Sequence, residues 1–101
     1  RAVGAAAVVA LAFPLHPPGR PERSRLAELT GAGVPTLVVQ GERDSFGRPE
    51  EFPSGDFDLV TVPHADHGMA VPKAHDQREA LELVVRTVLS WLGNALPASG
   101  R

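Results

Sequence analysis

The chain has 101 residues, a length that suits one small domain, and its hydrophobic fraction of 43% and charged fraction of 22% are ordinary for a globular protein. A net charge of −2 gives no electrostatic reason to expect nucleic acid or an anionic membrane surface as a partner. Because the sequence contains no cysteine, disulfide bonds and thiolate metal sites are excluded, and we expect a cytoplasmic protein.

The first predicted element is the apolar run at residues 6–13, "AAVVALAF", which Pro14 closes. Its length and its valine pair favour a strand buried on both faces, as in a parallel sheet; the end of a buried helix is the alternative. The run is too short to span a bilayer, and no small-residue cleavage site follows it that would indicate a signal peptide. Because the sequence begins at Arg1 inside a core-like segment, we expect an N-terminal part of a longer protein to precede it.

A proline-rich loop, "PLHPPGRP", leads from this strand to a short helix predicted in "PERSRLAELTGAG". Pro21 suits the first turn of that helix, and Gly31 or Gly33 is expected to end it. Two further short strands are predicted at residues 35–40 and 58–62, each followed by a loop that contains Gly and Pro.

The clearest predicted helix covers residues 76–92. Asp76 is its expected N-cap, Glu79 is placed to complete a capping box, and Gly93 is expected to end the helix. Residues 94–101 are expected to form a frayed tail. The inward face is predicted from one apolar stripe at helical spacing, which contains Leu81, Val84, Val85, Val88, Leu89 and Leu92.

Short buried strands that alternate with helices predict an α/β fold of about three parallel strands with flanking helices, in one domain at residues 1–93. The functional loops of such sheets leave the carboxyl ends of the strands, here after Phe13, Gln40 and Val62. We also expect an unpaired apolar edge at the first strand, which would make the isolated chain marginally stable or prone to self-association.

Two of these loops carry residues suited to acid–base chemistry. Asp44 follows the second strand in "VVQGERDSFG", and His67 follows the third strand in "VTVPHADHG". A carboxylate that orients an imidazole, which in turn takes a proton from a nucleophile, makes two-thirds of a Ser-Asp-His relay. The acid precedes the histidine, as it does in α/β-hydrolases. Gly41 permits the tight exit from the strand that places the acid at the rim of the sheet.

The sequence resembles the C-terminal half of an α/β-hydrolase. The segments "ALAFPLHPPGRPE", "VPTLVVQGERDSFG" and "VPHADHG" are similar to the strand-and-loop, acid-loop and histidine-loop elements of the dienelactone-hydrolase-like group that includes the Tex30 and KANL3 proteins. This resemblance covers roughly residues 6–92 and implies that Asp44 is the triad acid and His67 the triad base. Ser45 stands where that group usually has proline, a difference expected to loosen the turn.

The nucleophile that this resemblance implies is missing from the 101 residues, because no G-x-S-x-G elbow occurs in them. We therefore predict the Asp–His part of a serine hydrolase for a small ester, lactone or acyl substrate, inactive as an isolated chain and without a cofactor. The alternative is a non-catalytic scaffold or protein-interaction module of the same fold. The serines that lack the elbow context are Ser24, Ser45, Ser54, Ser90 and Ser99.

The remaining histidines allow other interpretations. The "HADH" of residues 64–67 suggests a metal-site hypothesis, but a metal needs three or four convergent ligands, and we predict no metal here. His16 is interpreted as a histidine that fixes its loop through a hydrogen bond, with a position at the substrate mouth as the alternative. Met69 and Trp91 are interpreted as packing residues.

Overall fold

The computed structural model of the chain describes residues 7–31 and 33–95. Three parallel strands form one sheet, in which the second strand lies in the centre. This architecture confirms the predicted α/β fold with a three-stranded parallel sheet and flanking helices. No helix in this part of the chain is long and apolar enough to cross a bilayer. The elements in chain order are β1 (Val8–Leu11), α1 (Leu26–Thr30), β2 (Thr36–Gly41), one 3-10 turn (Pro49–Glu51), β3 (Asp58–Val62) and α2 (Gln77–Ala95).

The central strand β2 is buried along its whole length. Its side chains alternate between the two faces of the sheet, as the two-residue period of a strand requires. Leu37 and Val39 belong to the cluster that α2 covers, whereas Val38 belongs to the cluster on the opposite face. The first cluster also contains Val62, Ala65, Met69, Ala80 and Val84, and the second contains Leu15, Leu29 and Phe52.

The edge strand β1 is less buried than the sequence predicts. Residues 8–10 are partly exposed and Leu11 is 54% exposed, because β1 pairs with β2 on one side and has no second neighbour in the described part of the chain. The strand is also shorter than the predicted run, since Ala12 adopts a left-handed conformation with φ of 61° and turns the chain away from the sheet. Residue 6 of that run lies outside the described residues. Self-association through this edge stays a prediction.

Helix α1 begins later than predicted. Pro21 lies in a turn before the helix and not in its first helical turn. The reason is that hydrogen bonds from Arg23 N–H to the Arg20 carbonyl and from Arg25 N–H to the Leu15 carbonyl hold the segment in turns against the loop after β1. The predicted end is confirmed, since Gly31 N–H donates to the Ala27 carbonyl as a C-cap.

The N-cap of α2 is confirmed, but its predicted end is wrong. Asp76 Oδ1 accepts hydrogen bonds from the N–H groups of Arg78 and Glu79, at 2.9 and 3.4 Å. The helix continues through Gly93 to Ala95, with Asn94 Nδ2 donating to the Ser90 carbonyl at 3.1 Å. Residues 96–101 of the predicted tail lie outside the described residues.

The face that α2 turns to the sheet differs from the predicted stripe. Leu81, Val85 and Leu89 are 48%, 56% and 65% exposed, whereas Ala80 and Val84 are buried. Apolar residues occupy more than one face of this helix, so their spacing alone does not define its rotation. The contacts with the core define it, and the Trp91 indole N–H also donates to Asp58 Oδ2 at the start of β3, at 2.7 Å. The residues packed inward are Ala80, Leu83, Val84, Val88 and Trp91.

Candidate active site

Asp44 and His67 meet at the carboxyl end of the sheet. Parallel pairing sets Gly41 of β2 beside Val62 of β3, so the loops that follow these strands leave the sheet side by side. His67 Nδ1 lies 2.9 Å from Oδ2 and 3.0 Å from Oδ1 of Asp44. The Asp44 carboxylate is fully buried, and the His67 side chain is 37% exposed. The two residues singled out from the sequence therefore form one hydrogen-bonded pair, the Asp44–His67 dyad.

Gly41 allows the two loops to approach each other this closely. A Cβ atom at this position would lie 2.5 Å from the backbone oxygens of both Ala65 and Asp66. The predicted role of Gly41 in the strand exit is thus explained by space rather than by an unusual φ angle. A hydrogen bond from Arg43 N–H to the Ala65 carbonyl, at 2.8 Å, then fastens the acid loop to the histidine loop.

The hydrogen bonds of the dyad determine where the imidazole proton lies. A carboxylate only accepts hydrogen bonds, so in the neutral form of the His67 ring the proton lies on Nδ1. Nε2 then has a free lone pair. In the part of the chain that the structure describes, no serine hydroxyl is hydrogen-bonded to Nε2. This tautomer is the one that a general base needs, because Nε2 receives the proton while Nδ1 stays bonded to the acid.

Two further residues hold the dyad, and sequence reasoning missed both. Phe46 stacks on the His67 ring with centroids 4.1 Å apart and planes 28° apart, and its N–H donates to Asp44 Oδ1 at 2.8 Å. Gln40, which is fully buried, donates from Nε2 to Asp44 Oδ2 at 3.3 Å. The signal for Gln40 was present in the sequence, since it is the polar residue that directly follows the apolar run "LVV".

His16 does not join the dyad but fixes its own loop, as its preferred interpretation predicts. Its side chain is 7% exposed, with Nδ1 2.8 Å from the Pro17 carbonyl and Nε2 2.7 Å from Glu51 Oε1. Both partners are acceptors, so this arrangement favours the imidazolium form, in which both ring nitrogens donate. The Pro17 carbonyl and then the Glu51 carboxylate raise the pKa of His16 above its ordinary value of 6.5.

The His16–Glu51 pair is expected to make stability fall as the pH rises above 6.5. Because the pKa of folded His16 is raised, its contribution is complete below the ordinary value of 6.5 and is lost as the pH rises through the folded pKa. The Arg48 backbone N–H and then His16 lower the pKa of Glu51, whose contribution is complete above 4.5 and is lost as the pH falls through the folded pKa.

Urea unfolding of the full-length protein, measured from below pH 4.5 to above pH 6.5, tests the pair. Stability from the pair should be greatest between pH 4.5 and pH 6.5, and His16→Asn should flatten the decline above pH 6.5. Glu51→Gln serves as the partner variant and should weaken the same decline. An identical slope above pH 6.5 in wild type and both variants would contradict the ion pair.

The metal-site hypothesis for residues 64–67 gains no support from the geometry. His64 stacks on His75 with ring centroids 3.6 Å apart, and the backbone N–H of His64 donates to Glu42 Oε1. Asp66 Oδ1 instead accepts the N–H groups of Gly68 and Ala70. Within residues 7–31 and 33–95, no three His, Cys, Asp or Glu side chains are placed to hold a metal ion. Met69 is 8% exposed and lies in the core, which confirms its packing role.

A groove of about 1010 Å³ lies between α2 and the loop before it. Its lining includes Val71, His75 and Leu81, but neither Asp44 nor His67. The chemistry of the dyad therefore does not open into this groove. We identify the candidate site by the dyad and not by the groove, because neither Asp44 nor His67 lines the groove.

The fold and the dyad place the chain in the class of α/β proteins with a carboxylate–imidazole pair beyond adjacent parallel strands. Residues 1–93 match the family model described as an alpha/beta hydrolase domain, and the chain belongs to this family. No curated protein and no solved structure gave a significant match to the chain.

Proposed function

We propose that the protein is a serine hydrolase that acts on a small ester, lactone or other acyl substrate, with Asp44 as the triad acid and His67 as the triad base. The observation that carries this proposal is the dyad itself: His67 Nδ1 lies within 3.0 Å of both oxygens of a buried carboxylate. Membership of the alpha/beta hydrolase family supports the same class of reaction.

In the proposed mechanism, a serine oxygen attacks the carbonyl carbon of the substrate while its proton passes to His67 Nε2. The imidazolium that forms is stabilised by Asp44, which stays ionised. His67 then gives the proton to the leaving alcohol as the carbon–oxygen bond breaks and an acyl-enzyme remains. Water attacks that acyl-enzyme with His67 again acting as base, which releases the acid and restores the serine.

The proposal places the nucleophilic serine outside these 101 residues, since none of their serines stands in a G-x-S-x-G elbow. We further propose that the protein belongs to the dienelactone-hydrolase-like group with the Tex30 and KANL3 proteins, on the likeness of its three loop segments. Ser45, beside the acid, is exposed and does not take the place of the nucleophile.

A non-catalytic scaffold of the same fold is the second candidate function. It applies if the full-length protein has no serine in a G-x-S-x-G elbow, because Asp44 and His67 would then have nothing to activate. The coding sequence upstream of Arg1 separates the two candidates quickly. An open frame with such an elbow favours the enzyme, and a frame in which that serine is replaced favours the scaffold.

The decisive experiment treats the full-length protein with a fluorophosphonate, which phosphonylates an activated serine. We expect a single adduct by intact mass, loss of nitrophenyl acetate hydrolysis in proportion to the adduct, and no adduct after denaturation. A protein that carries the elbow serine but gives neither adduct nor hydrolysis would overturn the proposed function.

A further inference from the structure

The Gln40 side chain links the loop after β1 to the acid loop after β2. Its Oε1 accepts the Phe13 N–H at 2.9 Å, and its Nε2 donates to the Phe13 carbonyl at 2.9 Å and the Gly47 carbonyl at 2.8 Å. The same Nε2 lies 3.3 Å from Asp44 Oδ2. Gln40 is 0% exposed, so none of these groups can exchange its partner for bulk water without opening the structure.

These bonds replace backbone pairing at the point where β1 leaves the sheet. The last backbone bond between the two strands runs from Ala12 N–H to the Val39 carbonyl, at 2.8 Å, and Ala12 then turns the chain. Phe13 is therefore out of reach of the β2 backbone. The Gln40 amide supplies one donor and one acceptor to Phe13, which are the two groups that a backbone partner would supply.

The acid loop is closed by the same amide. Gly47 ends this loop, and its carbonyl accepts a hydrogen bond from Gln40 Nε2. A Cβ atom at Gly47 would lie 2.6 Å from Leu15 Cβ. Gly47 is thus packed against the loop after β1, and His16 N–H donates to the Phe46 carbonyl at 2.9 Å beside it. The position of Asp44 and the position of the loop after β1 both depend on Gln40.

We propose that Gln40 is a positioning residue that sets the orientation of the Asp44 carboxylate toward His67 and ties the loop after β1 to it. Its role in turnover rests on the proposed function, whereas its effect on the dyad geometry does not. The two hydrogens of the Gln40 amide nitrogen are donated to the Phe13 and Gly47 carbonyls, and Asp44 Oδ2, 3.3 Å from Nε2, accepts a longer bond that shares one of them.

Gln40→Met tests the proposal because it keeps the length of the side chain and removes every hydrogen bond. The matched control is Thr36→Val on the same strand, which removes a partly buried hydrogen bond to the Val34 carbonyl, away from the dyad. In the full-length protein we expect Gln40→Met to lower kcat about 100-fold with little change in KM, because the imidazole is no longer held in line. Thr36→Val should retain the wild-type kcat.

A spectroscopic measurement separates this inference from the proposed function. The proton of His67 Nδ1 should give a downfield NMR resonance, assigned by its loss in His67→Gln and its retention in His16→Asn. We expect that resonance to broaden or vanish in Gln40→Met and to persist in Thr36→Val. A resonance that persists in both variants would overturn the positioning role, even if the protein proves to have no hydrolase activity.

Gln40→Glu provides a second variant in case Gln40→Met does not fold. The new carboxylate keeps an acceptor for Phe13 N–H and sets a like charge beside Asp44, which raises the pKa of the coupled carboxylates. The acid limb of kcat/KM against pH should move to higher pH, and the Nδ1 resonance should disappear at higher pH than in wild type. Unchanged pH dependence in both measurements would refute the inference.

Discussion

Asp44→Asn in the full-length protein is expected to lower kcat for ester hydrolysis about 10⁴-fold and to leave KM almost unchanged. The asparagine amide can donate to Nδ1 of His67, so the imidazole proton moves to Nε2 and the ring no longer serves as a base. The shape of the buried site is retained, since Asn and Asp have nearly the same volume and the remaining oxygen can accept the Phe46 N–H.

Asp66→Asn is the matched control for this experiment. Asp66 belongs to the same histidine loop, but its Oδ1 accepts only the backbone N–H groups of Gly68 and Ala70, at 2.9 and 3.0 Å. An asparagine oxygen can accept both bonds, so we expect near wild-type kcat. Steady-state kinetics with a nitrophenyl ester measure both variants. If Asp44→Asn stayed within about tenfold of wild type, Asp44 would not be the orienting acid.

Gly41→Ala is expected to destabilise the protein by about 3 kcal/mol or more, at or above the upper end of the usual cost of overpacking a core. The added methyl group would meet two backbone oxygens at 2.5 Å, and neither can rotate away as a side chain would. Relief requires the histidine loop to move away from β2. Hydrolase activity should therefore fall together with stability, although the substitution removes no functional group.

Gly93→Ala is the control for adding a methyl group. Gly93 lies in α2, and a Cβ there would meet no atom within 4 Å. Alanine should stabilise the helix by up to about 1 kcal/mol. Denaturant midpoints of the full-length protein measure both variants. Equal midpoints for Gly41→Ala and wild type would show that the two loops do not approach each other as closely as described.

The sheet and the dyad were predictable because their signals are local. The β3 run "DLVTV" is bounded by Pro63, and its predicted and observed limits coincide at residues 58–62. Asp44 and His67 each follow a recognisable strand, and the parallel arrangement alone brings the ends of such strands together. The segments that resemble the hydrolase group and the pattern of strands and loops both pointed to Asp44 and His67.

The remaining features depend on contacts between residues distant in sequence. His16 and Glu51 are 35 positions apart, and no local pattern marks one as the partner of the other. The rotation of α2 follows from its packing against the sheet, which includes a bond between Trp91 and Asp58, 33 positions apart, and the helix has apolar residues on several faces. Gln40 was predicted only as the end of a strand, because its partner Phe13 becomes visible only when β1 is placed beside β2.

The pairing of Gly41 with Val62 links the distance within the dyad to the register of the strands that form the hydrophobic core. A shift of one residue between β2 and β3 would move one loop past the other by about 3.3 Å, more than the difference between a hydrogen bond and no bond. Such a shift would also turn the buried residues of the strand that moves, Val39 in β2 or Val62 in β3, to the wrong face of the sheet. The side chains of the core therefore fix the strand register, and the strand register fixes the distance between His67 Nδ1 and the Asp44 carboxylate. Core variants that disturb strand alignment should impair chemistry without touching Asp44 or His67.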